Sequence, residues 1–213
     1  PQNIEFIAPK FKSDNYFRLN GYKYALEIES YRLAKTVTTV SSFDRAILAC
    51  HKIKSFLLNS FPEKSSLKNL SSIALKRKKY YANKKSKIKK ILLIGTTYNH
   101  PTKEGLKKIL EHFKISKISF KVNLVGYGTS EFNYFDSKKI NVMGAISDSK
   151  LEKLMIDCDC LIINTIQTSG YLFKVVEFNL AGIPIIFSND FLQHEGLEEY
   201  GIFKCNLSNL EKV

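Results

Sequence analysis

The second half of the chain is built on short apolar runs separated by amphipathic stretches. Ile91-Leu92-Leu93-Ile94 is apolar at every position and ends at Gly95, the pattern of a strand buried on both faces. Residues 102–113 then place Leu106, Ile109, Leu110 and Phe113 at helical spacing. Phe120–Val125 reads as a second strand ending in Gly126-Tyr127-Gly128, and residues 140–143 as a shorter third ending at Gly144. A helix capped by Ser147 or Ser149 follows, with Leu151, Leu154 and Met155 facing inward. Ser149 and Glu152 have the spacing of a capping box. Cys160–Ile163 is a fourth strand, and residues 172–181 form a helix closed by Gly182 with Pro184 just beyond. Ile185–Phe187 is a fifth strand, and residues 201–205 are an edge strand. Strands alternating with helices specify an α/β fold with a doubly wound parallel sheet, because parallel neighbours need crossover connections. Ligands of such sheets bind outside the carboxyl ends of the strands, here Gly95, Gly126, Gly144 and Asn164.

The first part is poorer in strands. Residues 24–33 carry Ala25, Ile28 and Leu33 among their apolar positions and read as a helix. The β-branched run of residues 36–40 reads as a strand, and Ser41 or Ser42 caps a helix carrying Phe43, Ile47 and Leu48. We therefore expect residues 1–75 to be the remnant of an N-terminal domain, residues 76–90 a basic linker, and residues 91–213 the ligand-binding domain. The chain opens on Pro1 without an initiating Met or a signal-peptide pattern, and is expected to be a piece of a longer polypeptide.

Composition narrows this picture. The chain is 44% hydrophobic and 25% charged, as in soluble globular proteins, and holds no run of ~20 apolar residues. Four scattered cysteines exclude a disulfide framework, and a reducing cytoplasm fits them best. Cys158 and Cys160 would share a face of an extended segment, and are read as small buried hydrophobes rather than metal ligands. The formal net charge is +13, and much of it lies in Lys76-Arg77-Lys78-Lys79 and Lys84, Lys85, Lys87, Lys89 and Lys90, with Tyr80 and Tyr81 between. Such a run is a solvated face, or a surface for an anionic membrane or, less in keeping with lysines dispersed elsewhere, nucleic acid.

The chemistry concentrates in Asn164 to Phe187. A loop containing Gly170 runs into a helix with Lys174 and Glu177 one turn apart. A helix N terminus offers free N–H groups and partial positive charge to a diphosphate. Lys174 adds a full charge, and Glu177 could accept from ribose hydroxyls. By spacing alone, a Lys–Glu pair on a solvated face is the favoured reading.

Lys174-Val175-Val176-Glu177 followed by Gly182-Ile183-Pro184-Ile185-Ile186 resembles the C-terminal domain of family 4 glycosyltransferases of the GT-B fold. Further segments fall in the family's order. Residues 91–95 resemble its opening strand and glycine turn, and Asn123 to Gly128 resembles its I-V-G-x-G segment. Residues 140–144 resemble its V-x-x-x-G strand, and Cys158 to Ile162 its A-D-x-x-I strand. Ala34 to Ser41 is similar to the close of the acceptor-side domain, with Lys35 where Asp is usual.

The resemblance implies a retaining glycosyltransferase that moves a sugar from a nucleotide-sugar donor to a glycan or lipid-linked acceptor. It implies that Lys174 contacts the diphosphate and Glu177 the ribose. Gly95, Thr96 and Gly126 would line the cleft floor, Gly144 and Ala145 would lie against the base, and Ser169, Gly170 and Tyr171 would belong to the donor loop. No cofactor or metal is expected; Asp157-Cys158-Asp159 has metal-motif spacing but leads into a strand, so Asp159 is read as structural. Ser169 stands where many members carry a second Glu, so a degenerate nucleotide-binding domain is the alternative, and a basic surface binder the third. His100, before Pro101, is read as a solvated loop residue. The implied setting is the cytoplasm, with peripheral contact at the inner membrane face.

Overall fold

The computed structural model describes residues 14–58, 62–85, 88–164, 173–187 and 201–212. Two compact units are present: residues 1–61 with 168–173, and residues 62–167 with 174–213. In the first, α1 (Asp14–Leu33) precedes β1 (Thr38–Thr39), α2 (Ser42–Cys50) and β2 (Phe56–Leu57). The expected strand over residues 36–40 shrinks to two residues, and it pairs in parallel with β2, which the sequence did not suggest. Ser41 is the cap: its Oγ accepts from Asp44 N at 3.0 Å and donates to Asp44 Oδ2 at 2.7 Å. Ile28, Val37, Leu48 and Ile53 form the small core.

The second unit opens with α3 (Lys64–Ala82) and continues through β3 (Lys89–Ile94), α4 (His100–Ile115), β4 (Phe120–Val125) and β5 (Ile140–Gly144). It closes with α5 (Asp148–Asp157), β6 (Cys160–Ile163), α6 (Phe173–Leu180), β7 (Ile185–Phe187) and β8 (Ile202–Lys204). The six strands make one parallel sheet in the order β5-β4-β3-β6-β7-β8, with β8 at the edge as expected. The doubly wound sheet expected from the sequence is the one observed. Leu92, Leu93, Val122, Leu124, Leu161 and Ile185 fill its centre with side chains that exclude solvent. The order reverses at β3, so the crevice outside the carboxyl ends of β3 and β6 is the topological switch point.

Two local expectations differ in the structure. Ser149 lies inside α5 rather than at its cap, so the Ser149–Glu152 box does not form; Ser147 holds the cap position, its Oγ 3.2 Å from Ser149 Oγ and bonded to no backbone N–H of the helix. Cys158 is extended as expected, but at the C cap of α5 rather than in the strand, which begins at Cys160. Gly182, at φ +69°, does close α6, with its N–H donating to Asn179 O at 2.8 Å and the N–H of Ile183 to Phe178 O at 3.0 Å.

The basic stretch expected as a linker is instead folded against the sheet unit, as helix through Ala82 and strand from Lys89. The cause is Arg77, 5% exposed. Its guanidinium donates to the carbonyls of Met155, of Ile156 at 3.3 Å, of Cys158 at 2.8 Å and of Gly182 at 3.1 Å. These are orphan carbonyls at the ends of α5 and α6, where a cation also meets the negative ends of the helix dipoles. Around it Lys84 pairs with Asp159 at 2.6 Å, Lys90 with Asp157 at 2.5 Å, and Lys76 with Glu152 at 2.6 Å. Tyr80 donates to Asp157, while Tyr81 donates to Cys158 O at 2.6 Å under Arg77 and Lys84, both stacked over its ring.

A cavity of about 680 Å³ lies toward the amino ends of the strands, lined largely by apolar side chains including Ile91, Phe113, Phe120, Ile186 and Phe203. It is remote from the carboxyl ends, where switch-point chemistry occurs. No helix among the described residues is long and apolar enough to cross a membrane.

Candidate donor site at the switch point

Three turns form the floor. The N–H of Gly95 donates to Val125 O at 3.1 Å, that of Gly126 to Gly144 O at 2.9 Å, and that of Thr97 to Tyr127 O at 3.1 Å. The ends of β3, β4 and β5 are thereby tied side by side. Gly126 is at φ +135°, and a Cβ there would stand 1.7 Å from Gly95 O, so the turns approach this closely only because that position has no side chain. Thr96 is half-buried and its Oγ accepts from Tyr98 N at 3.3 Å, while Ala145 is exposed just past the buried Gly144.

Lys174 enters from α6. Its Nζ donates to Ile94 O, the last carbonyl of β3, at 3.2 Å, which carries the ammonium from the helix across to the switch point. Loss of hydration lowers its pKa from the ordinary lysine value. Among the described residues no carboxylate pairs with it; Glu177, one turn on, is exposed and makes no ion pair with it. The surface Lys–Glu pair allowed by the spacing is therefore not what forms. Lys174 is thus a partly desolvated cation at a strand end with one carbonyl acceptor among the described residues.

Asn164 ends β6 beside Gly95, and sequence reasoning marked it only as a strand end. It is 5% exposed; its Nδ2 donates to Gly105 O at 2.7 Å, and its Oδ1 has no hydrogen-bond partner among the described residues. The bond pins the end of β6 to α4. The signal available in sequence was one amide closing an otherwise apolar strand. Of the residues expected at the site, Gly95, Thr96, Gly126, Gly144 and Ala145 are brought to adjacent strand ends, and Lys174 reaches them; Ser169, Gly170 and Tyr171 lie outside the described residues.

Asp159 is structural in the folded unit, accepting from Lys90 N at 2.7 Å and pairing with Lys84. Burial opposes its ionised form, but the bonds from Lys84 and Lys90 prevail and its pKa falls below the usual carboxylate range. Burial pushes the Cys158 thiol up to about 11 and the Cys160 thiol to about 12, the behaviour of unreactive packed thiols. Among the described residues no group of three or more His, Cys, Asp or Glu side chains is placed to hold a metal.

No family model matches the sequence, and no curated protein does. Solved structures do. Sucrose-phosphate synthase from Thermosynechococcus elongatus superposes with a TM-score of 0.66 over 95% of this chain and 53% of that one, at 14% identity. Trehalose 6-phosphate synthase from Burkholderia multivorans gives 0.60, covering 95% of this chain and 54% of that one, at 11% identity. HepE of Anabaena, solved in complex with UDP-glucose, gives 0.57 over 95% and 57%, at 15% identity. This chain thus spans about half the length of each. At such identities the likeness is one of architecture: the chain has the Rossmann-like fold of a GT-B glycosyltransferase half.

Proposed function

We propose that this chain is the donor-binding half of a retaining glycosyltransferase, which moves a sugar from a nucleotide-sugar to a glycan or lipid-linked acceptor. The observation that carries the reading is Lys174: a partly desolvated ammonium without a carboxylate partner among the described residues, delivered by α6 to the carboxyl end of β3. Leaving-group charge develops on the diphosphate as the glycosidic bond breaks, and a fixed cation with a helix N terminus stabilises that charge more than the ground state. Glu177, exposed one turn on, is assigned to the ribose hydroxyls, and the turns at Gly95 and Gly126, packed closely on each other, are assigned to the floor beneath the diphosphate. The neighbour HepE was solved with UDP-glucose and with UDP, which supports a nucleotide-sugar as the ligand class. The transfer is assigned no metal, so a chelator is expected to leave its rate unchanged.

Calorimetric titration of the 213-residue chain with UDP, GDP, ADP and CMP tests this. Saturable binding of one nucleotide, weakened in both Lys174→Ala and Glu177→Ala, is the expected result and identifies the base. A folded chain that binds none of the four sinks the assignment. Binding without sugar transfer by the full-length protein would assign the degenerate alternative.

A further inference from the structure

We propose that Tyr127, backed by Tyr98, is an aromatic platform for the nucleobase of the donor; the proposal rests on the donor-site reading above. Tyr127 stands two residues past β4 and Tyr98 four residues past β3, both on the carboxyl rim that holds Lys174. Their exposures are 70% and 82%, and neither ring has an aromatic neighbour among the described residues. A ring bearing one hydroxyl is ordinarily packed along its apolar body, so two bare rings on the same rim ask for a flat apolar partner.

The backbone presents them deliberately. Tyr127 sits between Gly126 at φ +135° and Gly128 at φ +77°, two conformations that L side chains rarely adopt. A Cβ on Gly128 would lie 2.2 Å from Thr97 Oγ1 and 3.5 Å from Tyr98 Cε1, so the β3 and β4 loops close on each other there, and Tyr127 is turned out to solvent. The two loops are then locked. The N–H of Thr97 donates to Tyr127 O at 3.1 Å, Thr129 Oγ1 donates to Gly126 O at 2.8 Å, and Lys103 pairs with Glu131 at 2.5 Å across the same turn. A platform held this way loses little freedom when a ligand stacks on it.

Position selects the base over the sugar. Lys174 fixes the diphosphate at the β3–β6 boundary, and β4 lies on the opposite side of β3 from β6. With strands ~4.8 Å apart, Tyr127 is about two strand spacings from the end of β6, a reach suited to a base separated from the diphosphate by its ribose. Every base offers a π-face, and base–aromatic stacking tolerates sequence and edge chemistry.

The test is calorimetry on the whole 213-residue chain with the nucleotide that binds best, its nucleotide-sugar, and inorganic pyrophosphate. Tyr127→Ala is expected to weaken the nucleotide about 10-fold and leave pyrophosphate unchanged, while Tyr127→Phe retains affinity because the face is kept. Tyr98→Ala should cause a smaller loss of the same kind. Wild-type binding undiminished by Tyr127→Ala overturns the platform and leaves the donor site standing. Equal weakening of pyrophosphate, or a loss confined to the nucleotide-sugar, also overturns the base assignment, the latter by giving the ring to the hexose. A wild-type chain that binds no nucleotide overturns both readings together. Tyr127 is solvent-facing, so unfolding is not expected; a far-UV spectrum matching wild type confirms that each loss is one of contact.

Discussion

Two cationic regions of this protein have opposite fates. In residues 76–90, Arg77 is surrounded by four carbonyl acceptors, and Lys76, Lys84 and Lys90 each reach a carboxylate. At the switch point, Lys174 has a single carbonyl contact and no countercharge among the described residues. Part of the dense region's charge holds α3 to the sheet unit, whereas Lys174 meets no countercharge among the described residues. Lys78, Lys79, Lys85 and Lys89 are exposed without an ion pair among the described residues, so the run keeps surface charge and the basic-binder alternative stands as a third reading.

Substitutions can break that contrast, and their expected effects fall in a clear order. Arg77→Met is the most severe. It strips the donors from four carbonyls, at least two of them in buried bonds, and should lower unfolding free energy by about 3–5 kcal/mol in urea titrations. A loss below ~1 kcal/mol would mean that the buried guanidinium does not hold the helix ends.

Lys174→Met should act in the other direction on stability. It weakens nucleotide binding about 10- to 100-fold, since a charge-assisted bond contributes about 1.5–3 kcal/mol, yet it removes a desolvated charge and should raise Tm by roughly 2–4 °C. The pH dependence has the same origin. Because the folded-state pKa of Lys174 is depressed, the unfolded chain binds more protons between the two values. The burden on stability is thus present below the depressed pKa and is relieved as pH rises through it. Wild type should gain stability in alkali relative to Lys174→Met, and parallel pH curves would contradict a desolvated lysine.

Asp159→Asn is expected to cost about 1–3 kcal/mol, because Asn can still accept from the backbone N–H of Lys90 but leaves the Lys84 ammonium uncompensated. Its pKa is lowered on folding, so the contribution is complete above the unfolded value and disappears as pH falls through the folded one. Acid unfolding of the wild type should therefore outlast that expected for an ordinary carboxylate, and the variant should lose this part of the profile. Lys76→Ala lies at the bottom of the scale, within ~0.5 kcal/mol, because its pair with Glu152 is exposed and screened. A larger effect would show that even the rim of the basic region is structural.

Much of the sheet unit was legible because its signals are local. Continuous apolar runs such as residues 91–94 mark strands buried on both faces, and glycines at their ends mark the turns that become the site floor. Gly182 and the period of Leu106, Ile109, Leu110 and Phe113 fixed their helices without any tertiary information. The failures have physical causes. β2 is two exposed residues long and owes its existence to pairing with β1, so no periodicity could announce it. Ser149 has the right spacing for a box but the wrong place, because the helix begins at Asp148. Residues 76–90 carry so much charge that they read as solvated, and only the convergence of helix ends from more than seventy residues away gives Arg77 a reason to be buried.

The sequence alone determined the alternation of strand and helix, and hence a parallel sheet with its ligand edge at Gly95, Gly126, Gly144 and Asn164, because hydrophobic period and turn chemistry act over a few residues. It also nominated Lys174 and Glu177, though their spacing alone favoured a surface pair. Tertiary structure removed that pair by sending the Lys174 ammonium to Ile94 O and leaving Glu177 exposed. It decided likewise that Arg77 is buried and that Tyr127 is bare. Whether a charge or a ring is satisfied depends on which atoms arrive beside it from distant parts of the chain, and only folding brings those atoms together.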